Sequence, residues 1–413
     1  MALSQRRGII AAPFFIFLSF FFFQPAAASE APAPNFCVDC HGDIADEAAG
    51  SIHTRQAVSC SQCHGGDPTK DDMEAAKAPG TGFLGRPDKK QVVETCGSCH
   101  ADIERMNFYG IRTDQLARYK TSHHGKALLE KGNTDVAACT DCHGSHHVLP
   151  VADPNSPVYP LNLPKTCARC HSDQALMDAH NLPSDALKKY ESSVHGRALF
   201  EKKDLSVANC ASCHGSHGAV PPGVKDVATT CGKCHVNERK YFLESPHAEL
   251  EKQGRFSECV SCHGNHAVEP ADIRLFQTAC VKCHAQTAPL ELGLEIARSI
   301  GDAEEQLAKT SQLVKQASIE GFFVEEEGGL LEEMKTGVVE MKPLQHTLSS
   351  AKMEELNTRV TAGARSVEAK IREKRRNVLW RKQALVAIWI FILVMVAALW
   401  TQYNRVTAGK HKR

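Results

Sequence analysis

Aromatic side chains are scarce: only 6% of the 413 residues are Phe, Trp or Tyr. A core of large rings is therefore excluded, and something else must fill the interior. Excess charge is missing too. The 48 basic residues balance 48 acidic ones, so nothing points to a nucleic-acid partner. Cysteine and histidine are plentiful instead, at 18 and 21. A chain of this length usually makes two or three domains.

No cysteine stands alone. Each falls in a Cys-x-x-Cys-His pentapeptide, and the pairs are Cys37 and Cys40, Cys60 and Cys63, Cys96 and Cys99, Cys139 and Cys142, Cys167 and Cys170, Cys210 and Cys213, Cys231 and Cys234, Cys259 and Cys262, and Cys280 and Cys283. The motifs end in His41, His64, His100, His143, His171, His214, His235, His263 and His284. Two thiols three positions apart can bond both vinyl groups of one haem, and the next residue then offers an imidazole to the iron. Zinc clusters and disulfides are the rivals, and neither requires a histidine after every second cysteine. The expectation is nine covalently bound haem c groups.

Twelve histidines lie outside the motifs. A Ser-x-His phrase precedes four motifs and gives His53, His124, His195 and His247. A His-Gly-x-His continuation follows three and gives His146, His217 and His266. Recurrence at fixed offsets marks these seven as sixth ligands. His180 and His346 are the candidates for two more, so the count allows nine bis-histidine sites. The choice between His146 and His147 stays open. His123 neighbours a better candidate. Met106 and Met177 are alternative ligands, with core packing the other role for both.

Internal repetition is clear. Cys96 to Cys167 spans 71 residues, as does Cys139 to Cys210, and each unit carries Lys-Ala-Leu-Leu-Glu-Lys or Arg-Ala-Leu-Phe-Glu-Lys after its Ser-x-His phrase. About four two-haem modules and a ninth motif follow from this. Only about 28 residues serve each motif in residues 35 to 288, so the porphyrins themselves must form the core. Short helices after many motifs, joined by Gly- and Pro-rich loops, are expected. Residues 67 to 88 read as the longest irregular insertion.

Two apolar runs frame this region. Residues 1–28 read as a secretory signal, with Arg6 and Arg7, an apolar run from Ile9 to Phe23, and Ala26-Ala27-Ala28 for cleavage. Residues 383–404 carry no charge and reach about 33 Å as a helix, enough to cross a bilayer. Trp380, Trp400 and Tyr403 sit where interfacial aromatics belong. Residues 405–413 form a basic tail, expected in the cytoplasm. The basic run from Lys370 to Lys382 makes the positive-inside rule ambiguous, and the export signal decides the orientation. That run is expected to face anionic lipid heads. Between Pro289 and residue 382, apolar stripes predict two or three long antiparallel helices, the last running into the membrane helix. One stripe is Leu292, Ile296, Ile300, Ala303, Leu307 and Val314. A second runs from Leu331 to Leu348, a third from Met353 to Ile371. Glu325 to Gly329 reads as a turn and Pro343 as a break.

The fold class is thus mainly α with much irregular structure. A haem-packed domain over residues 29–288 precedes a long-helix bundle over 289–382 and one transmembrane helix. The motifs, with their Ser-x-His and His-Gly-x-His phrases, resemble the multihaem cytochrome c superfamily, which includes class III cytochromes, NapC/NirT-type quinol dehydrogenases and octahaem hydroxylamine oxidoreductase-like proteins. The resemblance covers residues 37 to 284 and fits the superfamily more than one member. The C-terminal anchor departs from NapC-type proteins, which carry theirs at the N-terminus. The resemblance implies electron transfer between the membrane, through quinol or a membrane-bound redox subunit, and periplasmic donor or acceptor proteins. The cytoplasmic membrane is the expected location, with the haem domain outside. The alternative is a reductase or oxidoreductase of a small nitrogen or sulfur compound at one open-coordinate haem. Related reductases often mark that haem with lysine in place of the motif histidine, and here all nine motifs end in histidine. Residues 29–288 carry 27 basic and 32 acidic side chains, a net of 27 − 32 = −5, which favours basic partners.

Overall fold

The computed structural model describes residues 35–220, 227–256, 258–272, 274–284 and 287–410. The segment read as a secretory signal, and His411 in the tail, lie outside the described residues. No β-strand occurs among those described, and helices dominate. The chain divides into two compact units. The smaller runs to Asp46 and resumes over Ala57–Arg86; the larger comprises Glu47–Gln56 and Pro87–Arg413.

The smaller unit carries the first two motifs on the short helices Cys37–Cys40 and Cys60–His64. Between residues 67 and 88 the chain is mostly irregular, with one helical turn at Met73–Ala76 and a 3-10 turn at Pro79–Thr81. The larger unit shows the sequence repeat as repeated structure. Helices Lys89–His100, Gln115–Thr121 and His123–Leu129 recur 71 residues later as Leu163–His171, Ala186–Ser192 and Val194–Phe200. The serine of Ser-x-His is the helix cap. The hydroxyl of Ser122 accepts from Gly125 N at 2.9 Å, and that of Ser193 from Gly196 N at 2.9 Å. Each satisfies an orphan donor of the turn that presents the next histidine. All four such serines are buried.

Glycine follows His124 and His195 for a steric reason. A Cβ at Gly125 would sit 1.8 Å from the Tyr119 carbonyl oxygen, and one at Gly196 1.9 Å from that of Tyr190. The two helices of each pair meet there. Below the contact, Tyr119 donates to Ala137 O at 2.8 Å and Tyr190 to Ala208 O at 2.9 Å. Protein side chains alone make only a small core here. Val93, Leu128 and Ala138 form one buried cluster, and Leu199 repeats the place of Leu128. Met106 and Met177 are both buried in this region.

Three long helices follow: Thr287–Ile319, Glu325–Leu344 and Ser350–Lys410. The stripes seen in the sequence meet. Ile296, Ala303, Met334, Val338, Met341, Met353, Leu356 and Val360 form one core, and Val314, Ala317, Val367 and Ile371 another. The turn expected at Glu325–Gly329 lies instead at residues 320–324. Three acidic residues, Glu325 to Glu327, open the second helix, where the helix dipole favours negative charge. Pro343 sits inside the last turn of that helix and breaks nothing upstream.

The third long helix carries the uncharged run. Its apolar window is wholly exposed, with mean hydropathy 2.6. Trp389, Phe391 and Leu393 show more than half their surface, a pattern suited to lipid rather than to a core. The basic run before it is not all free for lipid heads. Lys370 pairs with Glu326, Lys374 with Glu327 at 2.7 Å, and Arg375 with Glu320 at 2.8 Å. These pairs tie the ends of the first two long helices to the third.

Two substitutions test this packing. Gly196→Ala should overpack the helix contact at a cost of about 1–3 kcal/mol and lower the melting temperature, whereas Gly42→Ala, with open space around it, should not. Lys374→Ala leaves the enclosed Glu327 carboxylate without its cation, at a cost of about 3 kcal/mol in thermal or denaturant unfolding.

Candidate functional site

The first six motifs and the eighth lie on α-helical turns, whereas the helix at the seventh stops at Gly232 and the ninth is a 3-10 turn over Cys280–Lys282. In the α-helical motifs the two cysteines, three apart, share a helix face, and the histidine follows at the C-terminal end. In the fourth and sixth motifs the next residue is Gly144 or Gly215, each at φ +82 and with ψ near 180°. Only glycine adopts that conformation without strain, and it lets the chain leave the helix directly after the imidazole.

Seven motif histidines face a second histidine, and each partner lies outside the motifs. The ring centres are 6.0 Å apart for His53 and His100, 6.1 Å for His124 and His171, 6.0 Å for His143 and His217, and 6.2 Å for His195 and His235. They are 5.8 Å apart for His214 and His266, 6.0 Å for His247 and His284, and 6.2 Å for His263 and His346. One such pair would be ordinary aromatic packing. Seven pairs, always one motif and one non-motif ring, need another cause. An imidazole nitrogen sits about 2.0 Å from the metal it binds, so two rings flanking one metal have centres about 6 Å apart. The separations fit a single ion between each pair.

The pairing follows a rule. Ser-x-His residues serve the third, fifth, seventh and ninth motifs, all downstream of themselves. Among the even motifs, the fourth takes its partner from the His-Gly-x-His of the sixth, and the sixth from that of the eighth. The eighth has no later even-numbered motif to draw on, and His346, on a 3-10 turn between the second and third long helices, takes that place. Tyr241 donates to Glu340 at 3.0 Å and Lys352 donates to Glu244 at 2.5 Å, fixing this end of the bundle against the last motifs.

A backbone brace, missed by sequence reasoning, holds the two kinds of partner together. Ile52 N donates to Val148 O at 2.8 Å, His123 N to Ala219 O at 3.1 Å, and Val194 N to Val268 O at 2.9 Å. Each donor lies just before a Ser-x-His histidine, and each acceptor two residues after a His-Gly-x-His histidine. That constant offset was the signal available in the sequence. Nδ1 of His214 lies 3.3 Å from Val220 O, and Nδ1 of His346 2.9 Å from Pro343 O. In the smaller unit Nδ1 of His64 lies 3.0 Å from Gly85 O. A carbonyl only accepts, so in each ring Nδ1 carries the proton and Nε2 keeps its lone pair for a metal.

The thiols run in series. Cys139 is hydrogen-bonded to Cys96, Cys167 to Cys210, and Cys231 to Cys259. The bond from Cys259 lowers Cys231 to about 7. Burial, then the neighbouring Cys167, raises Cys142 to about 11. Cys213 likewise feels Cys231 after burial, and Cys262 feels Cys280. The third to ninth motifs therefore stand in sequence order, each beside the next. None of the 18 cysteines is in a disulfide. Among the described residues no group of three or more His, Cys, Asp or Glu side chains converges to hold a metal by itself, as a zinc cluster would require.

His146 has Nδ1 3.7 Å from the Glu47 carboxylate. The ring of His147 packs on the backbone of Gly50, and its Nδ1 lies 3.2 Å from Glu47 O. His180, expected as a ligand, faces no motif histidine among the described residues. It ends the helix Gln174–Ala179, and its buried Nε2 lies 3.5 Å from an Asp135 oxygen, within ion-pair range but too far for a hydrogen bond.

Comparisons of the chain with protein-family models, with curated proteins and with solved structures find no match.

Burial holds His100, His143, His171 and His263, and the partners His53, His124, His195, His217, His247 and His266, below the ordinary imidazole value of 6.5. These rings are neutral in the fold and take up protons more readily when unfolded. The unfolded chain then binds more protons just below pH 6.5, so stability should fall as pH drops through that value. Melting temperatures measured from pH 7.5 to pH 5 should decline steadily.

Proposed function

We propose that the chain is a membrane-anchored c-type cytochrome that carries nine haems and passes electrons between the membrane and soluble redox partners on the outer side. The seven motif-to-partner imidazole pairs, 5.8–6.2 Å apart, carry this reading. Haem supplies reversible one-electron chemistry at its iron.

The protein's own residues do the rest. Paired cysteines fix each group to one helical turn. At seven of the sites the paired imidazoles would hold the iron between them, a ligation that favours low potentials. Neighbouring thiols keep consecutive sites adjacent, so that charge can pass along the series. Carbonyls on Nδ1 orient three of the imidazoles and raise their basicity.

The bundle bears on the membrane partner. Ser350 to Lys382 is 33 residues of the third long helix, about 50 Å at the usual rise. His346 lies just before its start, so the eighth site stands well away from the apolar segment along that helix. This favours a membrane-bound redox subunit as the partner at the bilayer, rather than quinol meeting this chain alone.

Protein purified in mild detergent should carry nine covalent haems by intact mass and by pyridine haemochrome. His346→Ala should turn one low-spin haem high-spin in electron paramagnetic resonance, and His346→Met should raise one reduction potential. A chain holding zinc or disulfides and no haem would end the proposal.

A further inference from the structure

Seven motif histidines face a second imidazole, and the first motif does not share this arrangement. His41 caps the helix Cys37–Cys40 and is exposed, and among the described residues no histidine ring is paired with it. Its own unit has no spare ligand of that kind. Residues 35–46 and 57–86 contain two histidines, His41 and His64, and each ends a motif. The unit's one methionine among the described residues, Met73, is 62% exposed. Lys77 is engaged, with its ammonium 5.4 Å from the centre of the Phe83 ring.

We propose that His41 is the only axial ligand this chain gives the first haem, and that the opposite face is a binding site for a small neutral molecule with a lone pair. This rests on the haem reading above and names the site at which an exogenous ligand enters. The charge around the motif selects the ligand class. The described residues of the unit carry seven acidic side chains and three basic ones, a net of 3 − 7 = −4. Asp39, Asp43 and Asp46 lie within five residues of His41. Hydrogen bonds from Thr69 hold the exposed Asp67 carboxyl below its ordinary value, so it too is ionised. Such a field repels anions and leaves neutral ligands unopposed. The site is also wired. Burial and the neighbouring Cys60 raise the Cys37 thiol, which places the first motif beside the second.

Carbon monoxide is the probe, added to the reduced, full-length protein in detergent. Haem content is counted first, so that a chain without haem is told apart from a chain whose first haem is closed. The expected result is CO binding that falls by one molecule per chain in Cys37→Ala/Cys40→Ala. His53→Ala serves as a positive control, because it should open the third site and add one. If the double variant does not fold, the unmodified oxidised protein gives the second reading: a high-spin signal that added imidazole converts to low-spin. Nine haems with no CO bound and no high-spin signal would overturn the proposal. So would CO binding that appears only in Met73→Leu or His147→Ala, since that residue would then be the missing ligand.

Discussion

Two imidazole rings drawn from distant stretches of chain must be held about 6 Å apart, and the larger unit is arranged to hold them so seven times. His53 and His100 are 47 positions apart, and His263 and His346 are 83. Ordinary packing gives little help, because the buried apolar side chains around the motifs are few. The rings are positioned instead by backbone. Serine caps start the helices that present one partner. Ladder-like bonds such as Ile52 to Val148 then hold those helices to the loops that present the other. Glycine appears where two backbones must touch or where the chain must leave a helix at once.

The site was legible in the sequence to the extent that it is local. Nine pentapeptides and two recurring phrases can be read directly, because helical spacing fixes what three or four residues can reach. Pairing is a tertiary matter. Only the structure shows that, from the third motif on, odd motifs look upstream and even ones downstream. His180 was placed by its position between two motifs, and its neighbour Asp135 is invisible to such reasoning. The bundle was legible from its apolar period, but its turn was displaced by four or five residues. Gly328 and Gly329 resemble a loop, and three acidic residues at a helix start resemble one as well. The basic run before the long apolar segment had an equally hidden explanation: Glu320, Glu326 and Glu327 meet it from the other two helices.

The bundle does two things at once. Its lower part is tied by ion pairs near Glu327 and continues into the apolar helix. Its upper part ends in the turn that carries His346, with Leu348 at φ +53 just beyond it, so the ring stands at the top of the helices rather than along their side. A spacer needs no histidine there. A ligand-bearing lid would not need long helices below it.

The direction of pairing also sets an order of assembly. On the proposed haem reading, a chain emerging N-terminus first would complete the third, fifth, seventh and ninth sites as each motif appears, since the partner histidine precedes it. The fourth, sixth and eighth would wait for partners that lie 74, 52 and 83 residues further on. The last of these waits for His346, behind two long helices. On that reading maturation would run as a ratchet, whose final click comes only when the segment leading to the long apolar helix has arrived.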